Sequence, residues 1–183
     1  MLFMAINPDV QEKVRLELDQ TIGKRKAKMT DKSSTPYTEA VLHEIQRKAN
    51  ILPISVFHSS SWTDPIKIGP YEVPPKTTII PLIGEVMSDP ESFPDPEKFD
   101  PERFLVKTNG TWKFQAHPKV IPFGVGRRKC LGEALARMSL YKFFTAIIQK
   151  YEIVSGQDEP LTEEGLSGFS RSPCPQSLMF KVR

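Results

Sequence analysis

The sequence predicts a mainly α chain with small β-sheets, and three observations carry that reading. Apolar residues recur at helical spacing in three stretches, the strongest running from Leu131 to Ile148. Short runs of β-branched and aromatic residues lie between Ile66 and Ile80 and again towards Arg183. The chain also carries 17 prolines, many of them between Pro65 and Pro122, which deny that middle section a long helix.

Taken in order, Met1 to Ile6 is apolar and reads as the end of a buried helix. Asn7 suits a helix cap and Pro8 a first helical residue; Val10, Val14 and Leu18 then share one face, and Gly23 closes the segment. The basic run Lys24-Arg25-Lys26-Ala27-Lys28 opens a polar stretch and reads as solvated loop rather than a nuclear signal. Thr35-Pro36 starts a second helix, with Glu39 in its first turn and Tyr37, Val41 and Ile45 on its apolar stripe. Glu44 and Arg47 lie three residues apart on it, a spacing at which helical side chains meet, and Ile45 beside them places the pair partly in the core.

Beyond Ile51 the chain turns extended. Ile66-Lys67-Ile68, Tyr71-Glu72-Val73 and Thr77-Thr78-Ile79-Ile80, with a turn at Pro74-Pro75-Lys76, suggest one small sheet. Phe93 to Phe104 is too rich in proline for helix or strand. The helix after Cys130 is expected to be deeply packed along Leu131, Leu135, Met138, Tyr141, Phe144 and Ile148. Tyr151 to Val154 and Leu178 to Val182 complete the chain as strands around a turn-rich stretch, Gly165 to Pro175.

Composition narrows the class. In 183 residues, 39% hydrophobic and 26% charged, there is enough apolar material for one core. The balance of 25 basic to 22 acidic residues, without a basic face interleaved with aromatics, argues against nucleic acid as a partner. No run reaches the roughly 18 apolar residues that cross a bilayer, and Met1 to Ile6 is too short for the core of a signal peptide. Two cysteines do not make a secreted disulfide framework, which points to a reducing compartment and leaves a Cys130–Cys174 bridge open.

The chemistry concentrates at Phe123-Gly124-Val125-Gly126-Arg127-Arg128-Lys129-Cys130-Leu131-Gly132. Glycines let backbone approach a flat ligand closely and adopt left-handed φ. Cys130 is expected to open the following helix, whose N-terminal amides favour a thiolate, and Arg128 adds a cation. A dinucleotide fingerprint needs glycine where Lys129 stands, and a phosphate loop needs Gly-Lys-Ser/Thr four residues on. Zinc needs paired Cys or His, whereas His43, His58 and His117 are scattered.

This run resembles the haem-binding signature F-G-x-G-x-R-x-C-x-G of the cytochrome P450 superfamily and fills every fixed place. Six such positions, at about one in twenty each, recur by chance on the order of 10⁻⁸ per starting point. The likeness extends from Met1 to Arg183 and is closest to animal microsomal members of family 2. Pro36 to Arg47 is similar to their K helix and Phe99 to Phe104 to the meander before the haem loop. The resemblance implies that residues 1–183 are the C-terminal haem-binding part of a single cytochrome P450 domain, with helices J, K and L, the meander, the cysteine loop and short hairpins.

It further implies Cys130 as the iron ligand, Phe123 beside the sulfur, Gly126 in the loop, and Gly132 and Ala136 where haem meets the L helix. Arg128 and His58 match propionate partners. Glu44, Arg47 and Arg103 match a buried ion network, and Leu52, Val56, Gly168 and Phe169 match substrate-contacting stretches. Arg127 and Lys129 fall on the face where a flavoprotein reductase would dock. Lys129 and Ser139 depart from the usual residues at their positions, as do Phe57 and Thr77.

The activity so implied is a haem-thiolate monooxygenase, using dioxygen and electrons from the reductase to put one oxygen atom into an apolar organic substrate. Its parent is expected on the cytosolic face of the endoplasmic reticulum membrane, held by an N-terminal anchor outside this sequence. The chain is expected to be a fragment that lacks the oxygen-activating residues of the family. The alternative is a truncated, non-catalytic product or partial gene model unable to hold haem alone.

Overall fold

The computed structural model describes residues 1–183 throughout. Five helices carry the packing, and ten short strands pair only as five two-stranded antiparallel ladders.

Two helices meet at Asn7: α1 (Leu2–Ile6) and α2 (Pro8–Thr21). Asn7 does not cap α2 with its side chain as the sequence suggests; its Nδ2–H donates to the Phe3 carbonyl at 2.9 Å and closes α1 instead. Pro8 starts α2, where a missing N–H costs nothing. Val10, Val14 and Leu18 are buried on one face of α2. A 3-10 turn at Met29–Ser34 leads into α3 (Pro36–Ala49), which ends at Asn50 in the left-handed region, φ 42°.

The start of α3 is held from outside. Glu17 of α2 accepts the N–H groups of Tyr37 and Thr38, each at 2.8 Å, and the Thr38 hydroxyl at 2.7 Å. A carboxylate there satisfies amides that have no helical partner and complements the helix dipole. Thr35, whose side chain makes no cap bond, meets the Tyr141 hydroxyl at 2.9 Å.

The strands expected to form one sheet form two separate ladders. β1 (His58–Ser59) pairs with β4 (Thr78–Ile79), and β2 (Ile66–Ile68) pairs with β3 (Tyr71–Val73). The section that proline was expected to keep irregular also holds a short helix, α4 (Ile83–Met87), and a hairpin of β5 (Leu105–Thr108) and β6 (Thr111–Phe114). The hairpin turns on Asn109-Gly110, both at positive φ, as a tight turn of this kind requires. Between them, residues 89–100 have no regular structure.

The last helix, α5 (Glu133–Lys150), begins three residues after Cys130. The sequence expectation that Cys130 opens it is therefore corrected: Lys129 is extended at φ −55°, ψ 145°, and Gly132 is the residue before the first helical one. Only the far half of α5 is packed. Tyr141, Phe144 and Ile148 are buried, whereas Leu135 and Met138 are 66% and 42% exposed and Leu131, just before the helix, is 103% exposed, against the expectation of deep packing along the whole stripe. β7 (Tyr151–Ser155) and β10 (Leu178–Val182) pair over five positions, and β8 (Gly165–Leu166) pairs with β9 (Ser172–Pro173).

The main core gathers α1, α2, α3 and the packed half of α5, from Met4 and Val14 to Tyr141 and Ile153. A smaller core of Ala40, Met87, Phe93, Phe104 and Val120 joins the other side of α3 to the irregular middle section. Together they make α3 the spine against which the cysteine loop is set.

Candidate functional site

The loop from Phe123 to Cys130 is closed by its ends: the Cys130 N–H donates to the Phe123 carbonyl at 2.9 Å. Between them, Gly126–Arg128 form one 3-10 turn. Gly124 and Gly126 both sit at φ +72°, a left-handed conformation that costs a residue with Cβ free energy. Nothing crowds a Cβ built on either, so conformation and not space selects glycine there. Gly132 differs. It is not left-handed, with φ −83°, and a Cβ built there would lie 3.8 Å from the Cys130 sulfur, in ordinary contact.

Cys130 is exposed and unbridged, and the partly buried Cys174 is unbridged too, so no disulfide joins them. Around it the surface is apolar and open, with Val125 64%, Leu131 103% and Leu135 66% exposed. Behind the loop, Phe123 and Ala136 line a groove of about 560 Å³ together with Leu42, Ile45, Leu52 and Phe143.

Charged side chains strap the loop to the helices. Lys129 pairs with Glu133 at 2.5 Å, and Glu133 with Arg137 at 2.8 Å. Arg137 also donates to Gln46 Oε1 at 3.0 Å and lies over the Phe123 ring, 5.0 Å from its centroid. Burial works to raise the Glu133 carboxyl, but hydrogen bonds from Lys129 and Arg137 outweigh it and hold the group below the usual range. Lys129 is thus engaged within the chain, while Arg127 and Arg128 stand exposed on the outer side of the loop.

Glu44, Arg47 and Arg103 come together. Arg47 forks onto both oxygens of Glu44, Nε to Oε2 at 2.7 Å and Nη2 to Oε1 at 2.9 Å, and Arg103 Nε stands 3.4 Å from Oε1. Both members of the helical pair are buried, deeper than their spacing implied.

His58 lies on β1, half-buried, its Nδ1 2.9 Å from the Val56 carbonyl. With Nδ1–H donated there, only the doubly protonated ring could give a second N–H to a carboxylate. Phe169 packs edge-on against Phe57 at 6.0 Å, and the Arg171 N–H donates to the Ile51 carbonyl at 2.8 Å. The stretch holding Leu52 and Val56 therefore shares a surface with the loop holding Gly168 and Phe169. No contact in the chain joins that surface to Cys130 directly; Leu52, through the groove it shares with Phe123, is the nearest link.

These features coincide with a known pattern. The family model described as Cytochrome P450 matches residues 1–180. The chain belongs to the cytochrome P450 family. Among curated relatives it is 37% identical to Cytochrome P450 2D27 of Mesocricetus auratus over all of this chain and 36% of that protein. It is 44% identical to Cytochrome P450 2C23 of Rattus norvegicus over all of this chain and 37% of that protein, and 40% identical to Cytochrome P450 2J1 of Oryctolagus cuniculus over 97% and 34%. The matches are animal members of family 2, and the chain spans about a third of their length. Its helices and small ladders are part of a cytochrome P450 fold, a family of haem-dependent monooxygenases. No helix is long and apolar enough to cross a membrane.

The residues fit a haem. One soft sulfur donor is presented unbridged on a glycine-built loop, Gly132 lies beside it with no side chain of its own, and the neighbouring surface is apolar and open. The chain holds no cluster of three or more His, Cys, Asp or Glu that could bind a free metal ion.

Two elements of the site escaped sequence reasoning. His43 was noted only as an isolated histidine, yet it is buried behind the loop and accepts the His117 N–H at 3.3 Å. Arg137 was not singled out, although its place one turn beyond Glu133 on a helix was readable as a pair.

Proposed function

We propose that this chain is the haem-thiolate part of a monooxygenase that acts on apolar organic substrates. The observation that carries the reading is the Cys130 thiol, displayed without a disulfide or other partner at the closure of a loop that two left-handed glycines make possible. Residues 1–183 act as one piece of a single domain in this reading, and Cys130 would hold the haem iron.

Each remaining residue has a task set by its chemistry. Gly126 shapes the turn, and Gly132 adds no side chain beside the sulfur. Phe123 and Ala136 supply the apolar wall, and Arg128 and His58 would hold the haem carboxylates through N–H donors. Glu44, Arg47 and Arg103 fix the irregular segment that leads to the loop. Bound haem would supply the reductive activation of dioxygen and the insertion of one oxygen atom into substrate. Leu52, Val56, Gly168 and Phe169 meet that substrate from the surface that the 51–58 and 165–173 segments share. Arg127, exposed beside the loop, faces the flavoprotein reductase, where charge speeds encounter. The parent protein sits at the endoplasmic reticulum membrane, as its microsomal relatives suggest.

The deciding experiment is the reduced carbon monoxide spectrum of the chain loaded with haem, compared with Cys130→Ser. A thiolate-type band present in the first and absent in the second supports the reading. The same band in both removes Cys130 as the ligand, and no band in either favours a non-catalytic product.

A further inference from the structure

We propose that His43 is a positioning residue for the cysteine loop: its neutral imidazole holds the His117 amide, and through it the backbone that delivers Cys130. The functional meaning of this rests on the haem-thiolate reading; its structural content rests on this chain alone.

A short series of hydrogen bonds leads from one residue to the other. The His117 N–H donates to His43 Nε2 at 3.3 Å, and the Val120 N–H to the His117 carbonyl at 3.0 Å. Next, the Gly124 N–H donates to the Ile121 carbonyl at 2.9 Å, and the Cys130 N–H to the Phe123 carbonyl at 2.9 Å. Each turn begins within a residue or two of where the preceding one ends, so the first anchor sets the start of all of them. Val120, 6% exposed, pins the middle of the path into the smaller core.

His43 is built to be an acceptor and to stay one. Its ring is 4% exposed and stands edge-on to Phe104 at 4.6 Å and Phe114 at 5.3 Å. Because Nε2 accepts, the proton of the neutral ring is on Nδ1. The charged and titratable groups around it come from every side: Arg137 and Glu133 from α5, Lys129 from the cysteine loop, Lys32 from the 29–34 turn, Glu39 from its own helix, and His117 from the segment it anchors. Glu133 pairs with Arg137 and Glu39 with Lys32. Burial first, then Arg137, His117 and Lys32, push the imidazole down to about 4, so the acceptor form persists through the neutral range. Phenylalanine in its place would pack the same two rings but lack both ring nitrogens, and with them the acceptor for the His117 N–H.

That difference defines the test. Amide hydrogen exchange is measured on the whole chain for wild type, His43→Phe and His43→Gln, the glutamine oxygen reaching the place of Nε2. Exchange across 117–130 is expected to rise at least tenfold in His43→Phe, with the β7–β10 ladder unchanged and with most of the protection restored in His43→Gln. Equal protection in wild type and His43→Phe overturns the proposal, as does a rise spread evenly over the chain. Should His43→Phe not fold, wild type decides: the His117 amide, corrected for intrinsic exchange, should lose protection at the pH where the His43 imidazole titrates by NMR. Protection that outlasts that titration overturns the proposal. Neither readout needs haem, so the absence of a thiolate-type spectrum would sink the haem reading while leaving this result to stand or fall by itself.

Discussion

Glu44 and Arg103 meet at 3.4 Å, Oε1 to Nε, across the boundary between α3 and the proline-rich segment that follows α4. The same carboxylate accepts the Asp100 N–H at 3.0 Å, and Arg47, gripped by it, donates to the carbonyls of Met87 at 2.9 Å and Pro96 at 2.7 Å. An irregular segment cannot satisfy its own backbone through helix or ladder, so buried carbonyls there need other donors. Two arginines supply them, and Glu44 keeps both charged groups compensated.

Glu44→Ala should therefore be among the costliest single changes in the chain. It leaves two buried or half-buried guanidinium groups without their carboxylate, a loss of about 3 to 5 kcal/mol. Arg103→Ala should cost less, because its side chain is 12% exposed and it leaves the Glu44–Arg47 fork intact. Urea unfolding of both variants checks the ranking, and equal losses would show that the network does not centre on Glu44.

Glu17 offers a second test, away from the site. Glu17→Ala removes three hydrogen bonds from the start of α3 and should lower stability by about 1 to 2 kcal/mol, the scale of a lost helix cap. Glu17→Gln keeps an acceptor oxygen and should recover part of the loss. Thermal unfolding followed by circular dichroism reads both; if neither variant moves, α3 does not depend on this cap.

What the sequence made legible was local. Helical periodicity located α2, α3 and α5, and the motif located the cysteine loop. The hairpin at 105–114 has a local signal too, since Asn109-Gly110 between the two runs is a strong turn former, although it lies within a section whose prolines oppose regular structure. Apolar period misled in one place: Leu135 keeps the helical stripe yet faces outward, and Leu131 lies before the helix begins, so their spacing reported an apolar surface and not a core. Ties between distant parts left no pattern at all. Gln11, buried on α2, donates to the Ile153 carbonyl at 2.9 Å and accepts the Ile153 N–H at 2.7 Å, and no local rule joins those two positions.

Acid should weaken the fold through His43. Its folded value, about 4, lies below the ordinary 6.5, so between those limits the unfolded chain binds more protons and stability falls as pH falls. At about 1.4 kcal/mol per pH unit the full loss is on the order of 3 kcal/mol, complete near pH 4 and absent above 6.5. Burial raises Glu39 and Glu17, which oppose this: the folded state takes their protons more readily, so their contribution improves as pH falls through their raised values. The difference between wild type and His43→Gln isolates the histidine. Urea titrations from pH 7 to 4 should show that difference shrinking with acid, and a flat difference would remove His43 as the cause.

The exposed apolar stripe beside Cys130 separates folding from function most cleanly. Leu131 is fully exposed and Leu135 two-thirds exposed, so serine at both positions removes almost no buried surface and should change stability by no more than about 0.5 kcal/mol. If the stripe is the wall against which haem lies, the same double variant should retain haem at least tenfold more weakly, because the apolar contact is lost only in the loaded state. It should also reduce self-association of the haem-free chain, since contiguous uncovered apolar surface drives it. Haem titration by absorbance, sedimentation of the haem-free chain and urea unfolding give the three readings together. Weaker retention at unchanged stability assigns the stripe to the ligand. A large loss of stability would instead place Leu131 and Leu135 in the fold's own core, and unchanged retention would leave the wall to Phe123 and Ala136 alone.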